Sequence, residues 1–205
     1  MKLLVEGNDD QHVVWALCQQ FDIAETFDVV DSKGVPKLIA DIPVRIKQRE
    51  TQSLGILADA DYEGPNSRWK QITEKLKGLD YSVPNTPTAL GTIIPSPAIN
   101  RPQVGIWLMP NNQDIGMIED FVRLLVPTDD KSLQLAKETI TTLEERNLQR
   151  YIPNHRAKAL IHTWLAWQED PGTPLGQAVT KHYLTTDTDL CQQFANWLKQ
   201  LFNES

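Results

Sequence analysis

Residues 54–61 read Leu-Gly-Ile-Leu-Ala-Asp-Ala-Asp, a continuous apolar run that stops at two aspartates. A run without polar alternation is typical of a strand buried on both faces, which is the environment of a central strand in a parallel sheet. We therefore predict a strand over residues 54–58, with Asp59 and Asp61 at its carboxyl end. Because ligands of open α/β sheets bind at that end of the strands, the segment indicates both a fold class and the place of a site.

The segments on either side alternate between strand and helix. Before the central strand, hydrophobic periodicity predicts strands over residues 2–6 and 27–31 and helices over 9–21 and 36–49, the second of which is interrupted by Pro43. After it, the pattern predicts a helix containing Trp69, Ile72, Leu76 and Leu79, followed by edge strands near 91–94 and 105–109. The remaining predicted elements are helices over 117–126, 131–147, 155–168 and 188–202. We place the N-cap of the first helix at Asn8, with Gln11 as its capping-box partner. This alternation favours an α/β fold, a mainly parallel sheet flanked by helices on both faces. We expect an α/β domain over residues 1–150 and a helical C-terminal extension over residues 151–205 packed on it.

The composition excludes several classes of protein. A chain of 205 residues that is 40% hydrophobic can build a packed core, which rules out an intrinsically disordered protein. The apolar runs are far shorter than the roughly 18 residues of a membrane helix, and Glu6, Asp9 and Asp10 interrupt any secretory signal. We expect a cytoplasmic protein that does not contact a membrane. Cys18 and Cys191 are read as reduced residues at the edge of the core, and the oligomeric state stays open.

The charge balance limits how the chain could contact nucleic acid. Lysine and arginine total 20 against 27 aspartates and glutamates, a net charge of -7. This argues against a protein whose whole surface wraps nucleic acid, but not against a local basic strip or a bound cation. Residues 33–49 carry five basic residues, Arg49 included, against Asp41 alone. Either a solvated helix face or a short track for a phosphate backbone explains this segment.

Acidic residues follow two of the predicted strands, Glu6 after the first and Asp59 and Asp61 after the central one. Residues i and i+2 of a strand project to the same face, so we expect Asp59 and Asp61 to present two carboxylates to one point. Crowded carboxylates without cysteine or histidine favour Mg²⁺, Mn²⁺ or Ca²⁺ over zinc. The alternative is that these aspartates only form turns or cap helices.

Three motifs carry a family resemblance: Leu4-Val5-Glu6-Gly7-Asn8-Asp9-Asp10, Ile56-Leu57-Ala58-Asp59-Ala60-Asp61 and Gly116-Met117-Ile118-Glu119-Asp120-Phe121. Together they resemble the Toprim domain, the metal-binding catalytic module of topoisomerases, primases, small ribonucleases and OLD-family nucleases. The third looks like the Gly-Met-Leu-Glu-Asp motif of small stand-alone OLD-like Toprim proteins, a family of unknown function. The helical tail is similar too, so the resemblance spans nearly the whole chain.

The resemblance implies a role for each matching position. It implies catalytic residues at Glu6, Asp59, Asp61 and Lys158, the last as a distal lysine near the phosphate. It implies that Mg²⁺ or Mn²⁺ is held by Glu6, Asp10, Asp59, Asp61, Glu119 and Asp120. For Glu119 and Asp120 the structural alternative is that both are dipole partners in the first turn of a helix.

The function implied by the resemblance is a Mg²⁺- or Mn²⁺-dependent OLD-like nuclease, which cleaves phosphodiester bonds or transfers phosphoryl groups on nucleic acid or another phosphate ester. The alternative is a catalytically silent regulatory module that binds a metal or nucleotide and works with a partner protein. Because we see no ATPase domain of the kind that larger OLD proteins carry, we expect any ATP-dependent regulation to come from a partner ATPase. A topoisomerase or primase fragment is disfavoured, since neither a catalytic-tyrosine domain nor a zinc domain accompanies the motifs. DNA, RNA and small phosphate esters all stay open as substrates.

Overall fold

The computed structural model describes residues 1–48 and 50–203, and within them the strands form one sheet. The strands are β1 (Lys2–Val5), β2 (Asp28–Asp31), β3 (Ser53–Asp59), β4 (Thr92–Ile94) and β5 (Gln103–Met109). They lie in the order β2-β1-β3-β5-β4, and neighbours run parallel except β4, which is antiparallel to β5. The predicted mainly parallel α/β sheet is therefore confirmed.

Helices cover both faces of this sheet. They are α1 (Asn8–Gln20), α2 (Val35–Ile46), α3 (Pro65–Lys77), α4 (Ile118–Leu124), α5 (Lys131–Glu145), α6 (Arg156–Leu165), α7 (Leu175–Thr180) and α8 (Asp189–Phe202), with a 3₁₀ turn at Pro153–His155. Leu4, Ile56 and Ile106 point to the face packed by α2 and α3, whereas their chain neighbours Leu57 and Trp107 point to the face packed by the other helices. The strands are buried on both sides because successive side chains alternate between two helical layers.

The C-terminal helices share the core of the sheet. Trp164, Leu165, Phe194 and Trp197 are buried in the cluster that also contains Trp107 of β5, which confirms their predicted burial. The division of the chain at residue 150 stays a prediction. Among the described residues no helix is both long and apolar enough to cross a membrane.

Two glycines let α8 approach the sheet closely. Gly55 of β3 and Gly105 of β5 are paired in register, side by side on the sheet face below α8. A Cβ at Gly105 would collide with Leu201, and one at Gly55 would lie 3.2 Å from the same side chain. The two glycines therefore form a shallow groove that only residues without a side chain can provide.

The structure corrects the expected positions of several elements. Helix α2 runs continuously through Pro43, because Leu38, Ile42 and Ile46 are fully buried at a spacing of four and hold the helix on the sheet. The predicted helix end at Arg49 lies outside the described residues. β5 is not an edge strand, since it lies between β3 and β4, and the short helix α7 was not predicted.

The start of α1 also differs from its prediction. Its N-cap is Gly7, whose N–H donates to Asp10 Oδ2 at 3.1 Å, so Asn8 is already the first helical residue. Gln11 makes no cap, because its Nε2 donates instead to the Val29 carbonyl at 2.7 Å. The helix therefore begins one residue earlier than predicted, and the hydrogen bond from Gly7 places Asp10 close to the end of β1.

Candidate functional site

A cavity of about 340 Å³ opens at the carboxyl ends of β1 and β3. The chain leaves β1 for β2 on one side and returns to β3 on the other, so this point is the switch in strand order where open α/β sheets bind their ligands. The side chains that line it include the carboxylates of Glu6, Asp10, Asp59 and Glu119, together with His155 and Lys158. The structure thus brings together four of the six predicted metal ligands and the predicted lysine.

Glu6 and Asp59 are joined across the two strands. Glu6 Oε1 accepts a hydrogen bond from the Asp59 N–H at 2.8 Å, and Asp59 Oδ1 accepts one from the Ile118 N–H at 2.9 Å. Burial raises the pKa of Glu6 to about 7, against the opposing effects of the Asp59 N–H and of Arg68. Burial, followed by the charges of Glu6 and Asp10, raises the pKa of Asp59 well above its ordinary value. The two side chains are fixed in place but disfavoured as anions.

Asp10 is the most constrained carboxylate of the cavity. Its residue is 4% exposed, and Oδ2 accepts the Gly7 N–H while Oδ1 is buried and accepts no hydrogen bond from the described residues. Burial first, and then the charge of Glu6, raises the pKa of Asp10 to about 7. A buried oxygen without a donor is costly as an anion, so the site favours a proton or a cation at this atom.

Glu119 and Lys158 form an ion pair at the mouth of the cavity. Lys158 Nζ lies 2.9 Å from Glu119 Oε1, without the directionality of a hydrogen bond, and Glu119 is 2% exposed while the lysine is half-exposed. Burial lowers the pKa of Lys158, but Glu119, Asp9 and Asp59 together raise it by more, so the pKa lies above its ordinary value. A permanent cation therefore faces the carboxylates from α6.

Asp61 does not continue the strand alternation. Its φ is +54°, β3 ends at Asp59, and the backbone of Asp61 pairs instead with Gly116. The Asp61 carboxylate lies 2.5 Å from Arg68 Nη2 and faces a neighbouring cavity. The strand alternation that we used to place both aspartates on one face does not extend to Asp61, because β3 ends at Asp59 and Asp61 is itself left-handed. A ligand role for Asp61 stays a prediction.

Asp120 separates from its neighbour Glu119. Asp120 Oδ2 accepts the Met117 N–H at 3.2 Å, and Oδ1 lies 3.5 Å from Arg123 Nε. Asp120 thus lies in the first turn of α4, as the dipole alternative for both residues has it, and in addition caps the helix. Only Glu119 joins the acidic cavity, and a ligand role for Asp120 stays a prediction.

Arg68 is a residue of the site that we did not single out from the sequence. It is 8% exposed, its Nε donates to the Asp59 carbonyl at 2.8 Å, and its Nη2 bonds Asp61. The signal was present in α3, where Arg68, Ile72 and Leu76 follow one another at a spacing of four on the buried face. A charged residue on an apolar helical stripe requires a buried partner, and the end of β3 supplies it.

The donor set of the cavity suits a hard cation. Carboxylate oxygens are the ligands that Mg²⁺ and Mn²⁺ prefer, and five carboxylate residues, the four named above and Asp9, line one cavity. In the described part of the chain, no three histidine, cysteine, aspartate or glutamate side chains already lie close enough to hold a metal ion. Binding of an ion therefore requires these carboxylates to rotate toward one another, which their mutual repulsion opposes until a cation is present.

Comparisons with known proteins bear on the family of the chain. Neither the curated proteins nor the solved structures gave a match. A family model matches residues 1–203, which is nearly the full length of the sequence. The chain therefore belongs to the family described as Protein of unknown function (DUF3226).

Proposed function

We propose that the acidic cavity binds Mg²⁺ or Mn²⁺ and that the protein cleaves phosphodiester bonds, or transfers phosphoryl groups, in nucleic acid. The observation that carries the proposal is the buried oxygen Asp10 Oδ1, which has no hydrogen-bond donor among the described residues and faces further carboxylates. Such an atom is stabilised by a proton or by a cation. Of the two, only a divalent cation would also activate a water for attack on a phosphate. The proposal includes a Toprim-like assignment of the α/β fold and a cytoplasmic location.

The ligands in this proposal are four of the five carboxylates that line the cavity, Glu6, Asp10, Asp59 and Glu119; the fifth is Asp9. A bound divalent ion would supply Lewis-acid stabilisation of the phosphate charge and a water of lowered pKa. Because the pKa values of Glu6 and Asp10 are raised to about 7, chiefly by burial, protons compete with the ion, and we expect metal affinity to fall as the pH falls below neutral.

Glu6 is suited to move a proton. Its Oε1 is held by the Asp59 N–H, whereas its Oε2 accepts no hydrogen bond from the residues that the structure describes. In the metal-free protein burial raises the pKa of Glu6 to about 7, a value suited to proton transfer at neutral pH, and Glu6 can keep this role where the other carboxylates carry the ion. We assign Glu6 Oε2 as the acceptor of the proton of the attacking water.

Lys158 is suited to hold the phosphate. Its Nζ now neutralises Glu119, and it is half-exposed at the mouth of the cavity. Once Glu119 has another cation, the ammonium group is free to donate to a non-bridging phosphate oxygen, where it stabilises the charge that develops during cleavage.

The second candidate is a catalytically silent module that binds a metal or a nucleotide and works with a partner, such as an ATPase. The Lys158–Glu119 ion pair favours this alternative, because an internal cation already neutralises part of the cluster without a metal. In this case the cavity binds its ligand but lacks the activated water, and the partner protein supplies the reaction.

The test is a cleavage assay with labelled single- and double-stranded DNA and RNA, in Mg²⁺, in Mn²⁺ and in excess EDTA. We expect cleavage only with a divalent ion, and loss of activity in Asp59→Asn and in Glu6→Gln. Asp22→Asn is the matched control, because Asp22 is exposed, has a φ of +49° that asparagine tolerates, and lies at the far end of α1.

Titration calorimetry with Mn²⁺ separates the possible outcomes of this assay. If the wild type binds Mn²⁺ but cleaves no substrate, the silent module is the better description. If Asp59→Asn binds Mn²⁺ as tightly as the wild type does, the acidic cavity is not the metal site and the proposal fails.

A further inference from the structure

A second cavity, of about 280 Å³, lies beside the acidic one. Met117 lines both cavities, and Asp61 and Gly116, whose backbones pair with each other, line the second one. The two cavities are therefore adjacent. A ligand held at the carboxylates can extend into the second cavity.

Basic side chains gather around the second cavity. Arg123, Lys137 and Arg156 line it, in a chain whose net charge is -7. Arg156 is paired with Glu144 at 2.9 Å, whereas Lys137 forms no ion pair with any residue that the structure describes. The cavity therefore offers positive charge to an anionic ligand at contact range.

The acidic residues of the same cavity are already engaged. Asp61 bonds Arg68 at 2.5 Å, and Asp120 accepts the Met117 N–H and lies 3.5 Å from Arg123. These ion pairs compensate Arg123 as well as the aspartates, and Arg156 is paired with Glu144, so Lys137 is the cation of the lining that an entering anion meets without a carboxylate partner among the described residues.

The cavity also presents a flat apolar surface. Tyr62 and Ile115, which both line it, are 48% and 58% exposed, so their apolar surfaces are accessible to a ligand. The Tyr62 hydroxyl is hydrogen-bonded to the Pro153 carbonyl, which fixes the orientation of the ring at the cavity wall. An exposed and oriented aromatic ring beside cations is the arrangement that proteins use to stack bases of single-stranded nucleic acid.

We propose that this second cavity, called the base pocket below, binds one unstacked nucleotide of a single-stranded nucleic acid whose neighbouring phosphate lies in the acidic cavity. The inference rests on the proposed function and specifies its substrate as a single strand. The base stacks on Tyr62, and Lys137 and Arg123 contact the backbone phosphate. A volume near the lower end of ligand cavities, which begin at about 300 Å³, admits one nucleotide but no stacked duplex.

The test is fluorescence anisotropy with end-labelled oligothymidylate and oligouridylate, in excess EDTA and over a series of KCl concentrations. EDTA removes the metal and prevents cleavage, so the assay reports the pocket alone. We expect Tyr62→Ala to weaken binding about fivefold or more at every salt concentration, as alanine substitution of a base-stacking ring does. Tyr62→Phe keeps the ring and should stay within about twofold of the wild type.

A second matched pair of variants tests the contact between Lys137 and the phosphate. Lys137→Ala should lower the slope of log K against log salt by about 0.7, the value for one phosphate contact to a single strand. Lys75→Ala removes the same charge from an exposed position of α3 on the opposite face of the sheet and should leave the slope unchanged. Thermal melts of all variants confirm that they are folded.

Several results would overturn the inference. They are absence of oligonucleotide binding in EDTA, wild-type affinity in Tyr62→Ala, an equal change of slope in Lys75→Ala and Lys137→Ala, and equal competition by a duplex. If binding follows the expected pattern but no metal restores cleavage, the proposed function fails and the base pocket stands. If metal-dependent cleavage occurs without this binding, the pocket alone is wrong.

Discussion

Replacement of Asp10 by asparagine should stabilise the metal-free protein at neutral and higher pH. Burial, and then the charge of Glu6, raises the pKa of Asp10 from 3.8 to about 7, so the folded protein holds this proton more tightly than the unfolded chain does. The carboxyl group therefore opposes folding increasingly as the pH rises from about 4 to about 7, and by a constant amount above that range. At 1.36 kcal/mol for each pKa unit, the full difference is about 4 kcal/mol.

An asparagine fits the same contacts. Its side-chain oxygen can still accept the Gly7 N–H, and its amide takes the position of Asp10 Oδ1, where it can donate toward the Glu6 carboxylate. We expect Asp10→Asn to raise the free energy of unfolding by about 2–4 kcal/mol at pH 8, which corresponds to a rise in Tm on the order of 5–15 °C. At pH 4 the difference should nearly vanish.

The assay is urea denaturation in excess EDTA over pH 4–8, with wild type, Asp10→Asn and the exposed control Asp22→Asn. The difference between wild type and Asp10→Asn at each pH isolates this group together with its coupling to the neighbouring carboxylates. The control should show no pH-dependent difference. If Asp10→Asn is less stable than the wild type at pH 8, the reasoning about an uncompensated buried charge is refuted.

Three further predictions concern the metal, the buried arginine and the glycine groove. A divalent ion at a hundredfold excess over its Kd should stabilise the wild type by about 2.7 kcal/mol, and a thermal melt should show this increment shrinking in Asp59→Asn; an undiminished increment would exclude Asp59 as a ligand. Arg68→Met should lower the free energy of unfolding, measured in urea, by about 2–4 kcal/mol, since it leaves a buried carbonyl without its donor. Arg68→Lys should recover only part of this loss. If Arg68→Met leaves the free energy of unfolding unchanged, a structural role for Arg68 is contradicted. Gly105→Ala should cost about 1–3 kcal/mol because its methyl group meets Leu201. Gly78→Ala, at the end of α3, should cost less in the same urea assay, because its methyl group would meet only backbone oxygens at 3.7 Å; equal costs would argue against close packing of α8.

Much of the fold follows from the hydrophobic pattern. Continuous apolar runs predicted the parallel strands, and the helical periods between them predicted the flanking layers. The position of β5 was mistaken although the same signal was present, because residues 104–109 are buried without interruption, as β3 is. Strand order is a tertiary property, and only the continuous run indicates that a strand is internal. Helix α7, with six residues, is too short for its period to be recognised.

The sequence predicted correctly the positions of site residues that lie at the ends of strands, but not of those whose positions depend on a turn of the backbone. Glu6 and Asp59 end neighbouring parallel strands, so adjacency of the strands brings them together. Asp61 was misplaced because the alternation of a strand holds only while φ stays negative, and the pattern of residues does not reveal a left-handed position at aspartate. Arg68 was missed although it lies on the buried stripe of α3, because its partners, the Asp59 carbonyl and the Asp61 carboxylate, come together with it only in the fold.

The two acidic capping turns show why local sequence alone could not assign the chemistry. Gly7 and Met117 are N-caps with nearly the same extended backbone, and in each case the aspartate three residues later accepts the N–H of the cap. Yet Asp10 is buried with an oxygen that lacks a donor, whereas the Asp120 side chain is 20% exposed and lies beside Arg123. The local motif is the same, and the surrounding packing decides whether an arginine neutralises its carboxylate or whether the carboxylate stays without a compensating partner. A charge-removing substitution should therefore stabilise the protein at the first turn and not at the second, so measurement of unfolding distinguishes a buried carboxylate without a compensating partner from one that an arginine neutralises.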